Sequence, residues 1–295
     1  VVEVQLDVDE LVDALLVRQV DPRPAGEAQL LRPLVDLVHA EHVAERVEID
    51  VARLGQRLDH VDRPVPLFLV AEEGLIAHGR GEAFDYLIGE NTSQNARNAI
   101  RAAAAMLLTS NHPVLCVNGN FAALCAKQII DLSRVSGALI EINLFYHSIQ
   151  REEAIKNHLE KFGATNVLGT GVNRSEIIPQ LSGARNRVDQ RGIAIADTVF
   201  VPMEDGDRTK ALVRMGKKVI TVDLNPLSRT AVHANISIVD NVVRVIPILI
   251  QMILELGNGT DKSLTGIIDD FDNGKNLQES LKLIRLGGSN MHAVR

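Results

Sequence analysis

The 295-residue chain is 46% hydrophobic with a net charge of −7 at pH 7, an ordinary globular balance that argues against a general nucleic-acid surface. Seven Phe, two Tyr and no Trp are too few aromatics for base stacking to be the main binding mode. Cys116 and Cys125 fit neither a zinc spacing nor a disulfide framework, no apolar run reaches bilayer length, and Val1 opens no signal peptide; a soluble, cytoplasmic protein with reduced thiols is expected.

Residues 1–73 contain no Ser, Thr, Lys, Asn, Cys, Met or Tyr, and Ile49 is their single isoleucine. Val, Leu, Asp, Arg and Glu supply most of the segment, and the usage turns ordinary directly afterwards. A separate module explains such a break, as does a misplaced start or shifted reading frame. Val8, Leu11, Val12, Leu15 and Leu16 share one helical face. The expected division is an atypical segment over 1–73 and an α/β domain over 74–295, with a helical tail from about 257.

Gly74 to Glu90 sets two glycines around Arg80. Gly79 and Gly81 suit a tight turn that presents the guanidinium, and a guanidinium so held matches a phosphate or carboxylate through two parallel hydrogen bonds. The competing reading pairs Arg80 with Glu82 or Asp85.

Ser93 to Leu108 reads as a helix, helped by the Ala102–Ala105 run. Val114–Val117 reads as a buried strand, Asn118-Gly119-Asn120 as a turn, and Phe121 to Ser136 as a helix closed by Gly137. Ala138 to Leu144 is the next strand, Ile149 to Phe162 a helix stopped by Gly163, and Asn166 to Gly169 opens a third unit. An irregular polar stretch runs to Asp189. Ala196 to Pro202 is a strand, Asp207 to Met215 a helix, Lys218 to Asp223 a strand, Ser237 to Asp240 a short strand and Val242 to Leu256 a helix. A polar linker and a final helix near Leu277 to Leu286 follow. Short strands apolar on both faces, alternating with helices, indicate a doubly wound, mostly parallel α/β sheet with helices on both faces.

In such sheets ligands bind at the carboxyl ends of the strands. Five polar turns fall there: Asn118 to Asn120, Asn143, Glu204 to Thr209, Asp223 to Thr230, and Asp240-Asn241. No phosphate loop, glycine fingerprint or nucleophile elbow is present, so an NAD-dependent oxidoreductase lacks support. The scattered histidines, His78 among them, show no metal spacing. Arg80, Arg208 and Arg229 can neutralise phosphates. Asn118, Asn120, Asn225 and Asn241 can hydrogen-bond a sugar, base or carboxylate. Glu204, Asp205 and Asp207 can hold Mg²⁺ or receive an ammonium group, although Asp207 is better placed to cap the following helix.

From Gly74 to about Arg285 the chain closely resembles the archaeal 4-phosphopantoate–β-alanine ligases, also called phosphopantothenate synthetases. The blocks that carry the resemblance are GLIAHGRGEAFDYLIGE at 74–90, HPVLCVNGN at 112–120, EINLFY at 141–146, VPMEDGDRTKALVRMGKKVITVDLNPLSRTA at 201–231, IVDNVVRVIP at 238–247 and FDNGKNL at 271–277. The resemblance implies a Rossmann-like homodimer that uses ATP and Mg²⁺ on the archaeal route to coenzyme A. The carboxylate of 4-phosphopantoate would attack the α-phosphate to give an acyl-adenylate and pyrophosphate, and the β-alanine amine would displace AMP.

The resemblance puts ATP contacts on Arg80, Asp223, Leu224, Asn225, Arg229, Thr230, Asn241 and Val242, with Arg80 and Arg229 stabilising the charge that develops on the phosphates. Substrate candidates are His78, Asn118, Asn120, Asn143, Glu204, Asp205, Asp207 and Arg208; no metal ligand is assigned. The family's lead-in, with a His-Pro-Arg start and an Arg-Glu pair whose arginine reaches ATP, has no match at the right distance in residues 1–73. Arg18 lies too far upstream, and His147 stands where an arginine is expected. The alternative is therefore a non-catalytic nucleotide-binding protein that keeps the fold without that arginine.

Overall fold

A computed structural model describes residues 69–290, apart from 180, 182–185 and 258. The expectation for the atypical segment falls on residues 1–68, outside the described residues. The first described helix, α1 (Glu72–Ile88), already crosses the composition break.

Helix α1 corrects the reading of the glycine-arginine run: Gly79, Arg80 and Gly81 are helical, and the left-handed residue is Gly89 at its carboxyl end. Next comes α2 (Gln94–Leu108), where Ser93 Oγ accepts from the Ala96 N–H, filling one of the orphan donors of the first turn. The wound layer then runs β1 (Pro113–Val117), α3 (Gly119–Ser136), β2 (Leu139–Ile142), α4 (Ile149–Lys161) and β3 (Val167–Leu168). A two-stranded antiparallel pair, β4 (Glu176–Ile177) and β5 (Arg187–Val188), interrupts the irregular stretch. The chain continues with β6 (Thr198–Phe200), α5 (Gly206–Arg214), β7 (Lys218–Val222), α6 (Arg229–His233), β8 (Ile236–Ile238), α7 (Val242–Leu256), α8 (Asp261–Asp269) and α9 (Asn273–Asn290).

Among the described residues, six strands form one sheet in the order β3-β2-β1-β6-β7-β8, every neighbouring pair parallel. Leu115 on β1 sits opposite Ile140 on one side and Phe200 on the other. Side chains alternate across the sheet. Leu115, Val117, Phe200 and Ile220 face a core shared with α2, α3, α4 and α7. Val114, Cys116, Val199 and Val219 face a second core with α5 and the loop around Ile178 and Ile193. Both faces are therefore buried, which is why the strands read as continuous apolar runs. The winding reverses between β1 and β6, and the crevice of such sheets opens there.

Candidate functional site

A cleft of about 420 Å³ lies at the carboxyl edge of the sheet around that reversal. Ten of the expected residues line it: His78, Arg80, Asn118, Asn120, Glu204, Asp205, Asp223, Leu224, Asn241 and Val242. Helix α1 forms one rim and the strand-end turns form the other.

The turn amides prove to be engaged with the backbone. Asn118 caps α3, its Oδ1 accepting from Phe121 N at 2.9 Å, while Nδ2 donates to the carbonyls of Pro202 and Met203 at 3.0 and 3.1 Å. One side chain thus closes the crevice between β1 and β6. Asn120 Nδ2 donates to Gly74 O at 2.9 Å and holds the start of α1. Gly119 has no room for a side chain, since a Cβ would lie 2.0 Å from Leu69 O. Met203, on the cleft wall, has φ +51°, a conformation uncommon for a non-glycine residue and concentrated at functional sites.

Acidic groups crowd the floor. Asp205, not Asp207, caps α5: its Oδ1 accepts from Asp207 N and Arg208 N at 3.0 and 2.9 Å. Glu204 Oε2 meets the buried Arg208 guanidinium at 3.3 Å, and its Oε1 accepts from Asp205 N. Burial pushes the Glu204 carboxyl above the usual range, against the pull of Arg208. Burial likewise raises Asp223, opposed by the Ser228 hydroxyl, the Asn225 N–H and the positive charge of Arg80. Arg80 and Asp223 both line the cleft, on α1 and on the turn after β7.

The remaining expected residues lie elsewhere. Arg208 is wholly buried behind Glu204, out of reach of a ligand. Asn143 is buried, its Nδ2 donating to Arg187 O at 3.4 Å, away from the cleft lining. Arg229 pairs with Asp207 at 2.8 Å on the surface. Thr230 Oγ1 donates to Glu204 O at 2.7 Å, and Asn225 Oδ1 accepts from Leu227 N. These residues shape the turns that carry Asp223 and Glu204 rather than forming the wall themselves.

Sequence reasoning gave no role to Arg151 or Tyr146, and named Asp240 only as part of a strand-end turn; all three are in the lining. Arg151, on the first turn of α4, donates to Tyr146 O and, at 3.0 Å, to Leu69 O. In sequence it looks like any charge on an exposed helix start. Asp240 is fully buried beside Asn241, and its place at a strand end is the signal that marked it in the sequence. Among the described residues, no three His, Cys, Asp or Glu side chains gather as a metal site.

Comparison with known proteins supplies the family. Residues 95–287 match the model of the phosphopantothenate/pantothenate synthetases. The chain is 52% identical over 217 residues to a 4-phosphopantoate–β-alanine ligase of Thermococcus onnurineus, covering 74% of this chain and 83% of that protein. A ligase of the same name from Thermococcus kodakarensis is 50% identical over the same shares, and one from Methanosarcina mazei is 44% identical over 75% of this chain and 86% of that protein. With all six strands of the wound sheet and its reversal inside the matched region, the chain belongs to the phosphopantothenate/pantothenate synthetase family.

Proposed function

We propose that the chain is an ATP-dependent ligase that joins 4-phosphopantoate to β-alanine through an acyl-adenylate, releasing AMP and pyrophosphate. The observation that carries this reading is the cleft at the β1–β6 reversal, with Arg80 on one rim and Asp223 on the other, in a chain 50–52% identical to named ligases over 74% of its length. In the first step a carboxylate oxygen attacks the α-phosphorus and the bond to the β-phosphate breaks. Negative charge then grows on the leaving pyrophosphate. Arg80 and Arg151 are the arginines lining the cleft and stabilise that charge. Asp223, with Leu224 and Val242 beside it, receives the sugar or base.

Arg229 reaches the nucleotide by giving up its exposed pair with Asp207, a contact of the sort that contributes at most about 1 kcal/mol. Mg²⁺ travels with the phosphates and needs roughly one or two carboxylates, for which Glu204 and Asp205 line the cleft; when bound it offsets phosphate charge. EDTA should therefore abolish turnover, and added Mg²⁺ restore it. We place the enzyme in the cytoplasm as a homodimer, in keeping with its resemblance and with described helices too short or too polar to cross a membrane.

Purified protein should release AMP when ATP, 4-phosphopantoate and β-alanine are supplied together. Release of ADP and phosphate would overturn the adenylate route. ATP binding without any AMP would favour the non-catalytic alternative.

A further inference from the structure

Helix α1 carries His78, Arg80 and Glu82 along the cleft rim, and its two ends are fastened differently. At the amino end Asn120 Nδ2 donates to Gly74 O, Arg151 donates to Leu69 O just ahead of the helix, and Glu73 acts on the Arg151 charge, with no forked ion pair among the described residues there. At the carboxyl half the fastening is a charged clasp. Arg244, on the first turn of α7, forks onto Asp85 of α1, with Nη1 to Oδ2 at 3.1 Å and Nη2 to Oδ1 at 2.5 Å. The same guanidinium turns its Nε to Asp240 Oδ1 at 2.9 Å. Asp85 and Asp240 are 2% and 0% exposed, whereas Arg244 keeps a quarter of its side chain in solvent. One arginine therefore neutralises two buried carboxylates from opposite sides of the crevice.

Asn241 extends the clasp. Its Oδ1 caps α7, and its Nδ2 donates to Glu82 Oε1 and Asp85 Oδ2 at 3.0 and 2.9 Å. Arg244 itself is not part of the cleft wall. A bidentate, charge-assisted contact is directional, so it sets both the distance and the rotation of α1 about the sheet edge. Arg80 lies on α1 more than one turn from Asp85, and any rotation of the helix moves it relative to Asp223.

We propose that Arg244 is a positioning residue for nucleotide binding: by clasping Asp85 and Asp240 it fixes α1 across the crevice and holds Arg80 opposite Asp223. The inference rests on the nucleotide reading of the cleft.

The test compares Arg244→Gln and Asp85→Asn, which each remove one side of the clasp, with Arg244→Lys, which keeps the charge without the fork. Calorimetry should show ATP affinity falling at least about tenfold in the first two variants, with the lysine variant intermediate. Hydrogen exchange should accelerate at the α1 amides while those of β1 and β7 stay unchanged. Combined with Arg80→Ala, the loss of Arg244 should weaken ATP binding less than about twofold further, because the group it places is already gone.

Unchanged ATP affinity alongside faster α1 exchange would make the clasp structural only and overturn the proposal. Fully multiplicative losses in the double variant would do the same. Asp85→Asn leaves Arg244 paired with Asp240 and serves if Arg244→Gln does not fold. A wild-type protein that binds no ATP would overturn the nucleotide reading and the clasp's role together; tight ATP binding in wild type and in every clasp variant overturns the clasp alone.

Discussion

Arg80 is the residue on which the ligase reading presses hardest. It is exposed on α1, lines the cleft and sits in the field of Asp223. Arg80→Ala should lower turnover by at least about a hundredfold, the usual cost of losing one charged transition-state contact, as measured by AMP release at saturating substrates. A rate near wild type would remove Arg80 from the site. Part of the lining was legible from residue types, since the strand-end amides and acids Asn118, Asn120, Glu204, Asp205, Asp223 and Asn241 do line the crevice, whereas the strand-end arginines Arg208 and Arg229 do not. What stayed hidden was which amides are available. Asn118, Asn120 and Asn241 each complete backbone or helix-to-helix contacts, and an asparagine that satisfies a carbonyl looks the same in sequence as one that awaits a ligand. Arg208 misled for a related reason. Its charge suggested a phosphate, but the position four residues after Glu204 pairs the two side chains inside the protein.

At the scale of elements, strong periodic segments were read to within a few residues, as with Gln94–Leu108 and Val242–Leu256. The glycine-arginine run was not. Each glycine in a helix costs roughly 1 kcal/mol relative to alanine, which favours a turn on local grounds. Tertiary contacts at Leu75 and Asp85, both buried, and the contacts from Asn120 and Arg244 outweigh that cost. Strands of two residues such as β4 and β5 are too short to show any period, and their pairing is long-range. Two glycines give opposite expectations here. Gly119→Ala would drive a Cβ to 2.0 Å from Leu69 O, so the lead-in to α1 must shift; urea denaturation should register a loss of about 1–3 kcal/mol. Gly266, in α8, has open space where a side chain would stand, and Gly266→Ala should gain roughly 0.5–1 kcal/mol. Equal effects from the two would contradict the close approach.

For the molecule as a whole, the parallel layer followed from apolar strands alternating with helices, while the strand order required the three-dimensional structure. One buried acid ties stability to pH. Glu141, fully buried on β2, accepts from Asp189 N and Ile193 N at 2.9 and 2.6 Å, yet burial pushes its carboxyl from 4.5 up to about 7 against those two donors. A folded value above the unfolded one means the folded chain binds this proton more tightly. Its contribution to stability is complete below about pH 4.5 and declines as the pH rises through 7. Urea midpoints between pH 5 and 8 should fall more steeply for wild type than for Glu141→Gln; an equal or shallower slope would contradict the assignment.

The placing of β1 in the middle of the sheet has a consequence during synthesis. Its partners on one side, β2 and β3, leave the ribosome soon after it, but β6 follows only after the long stretch from Val117 to Thr198. Until then one backbone edge of β1 is an open ladder, able to recruit strands from neighbouring nascent chains. Translation stalled with the chain emerged through Leu168 should yield chaperone-bound or aggregated product, and translation continued past Ile238 should not.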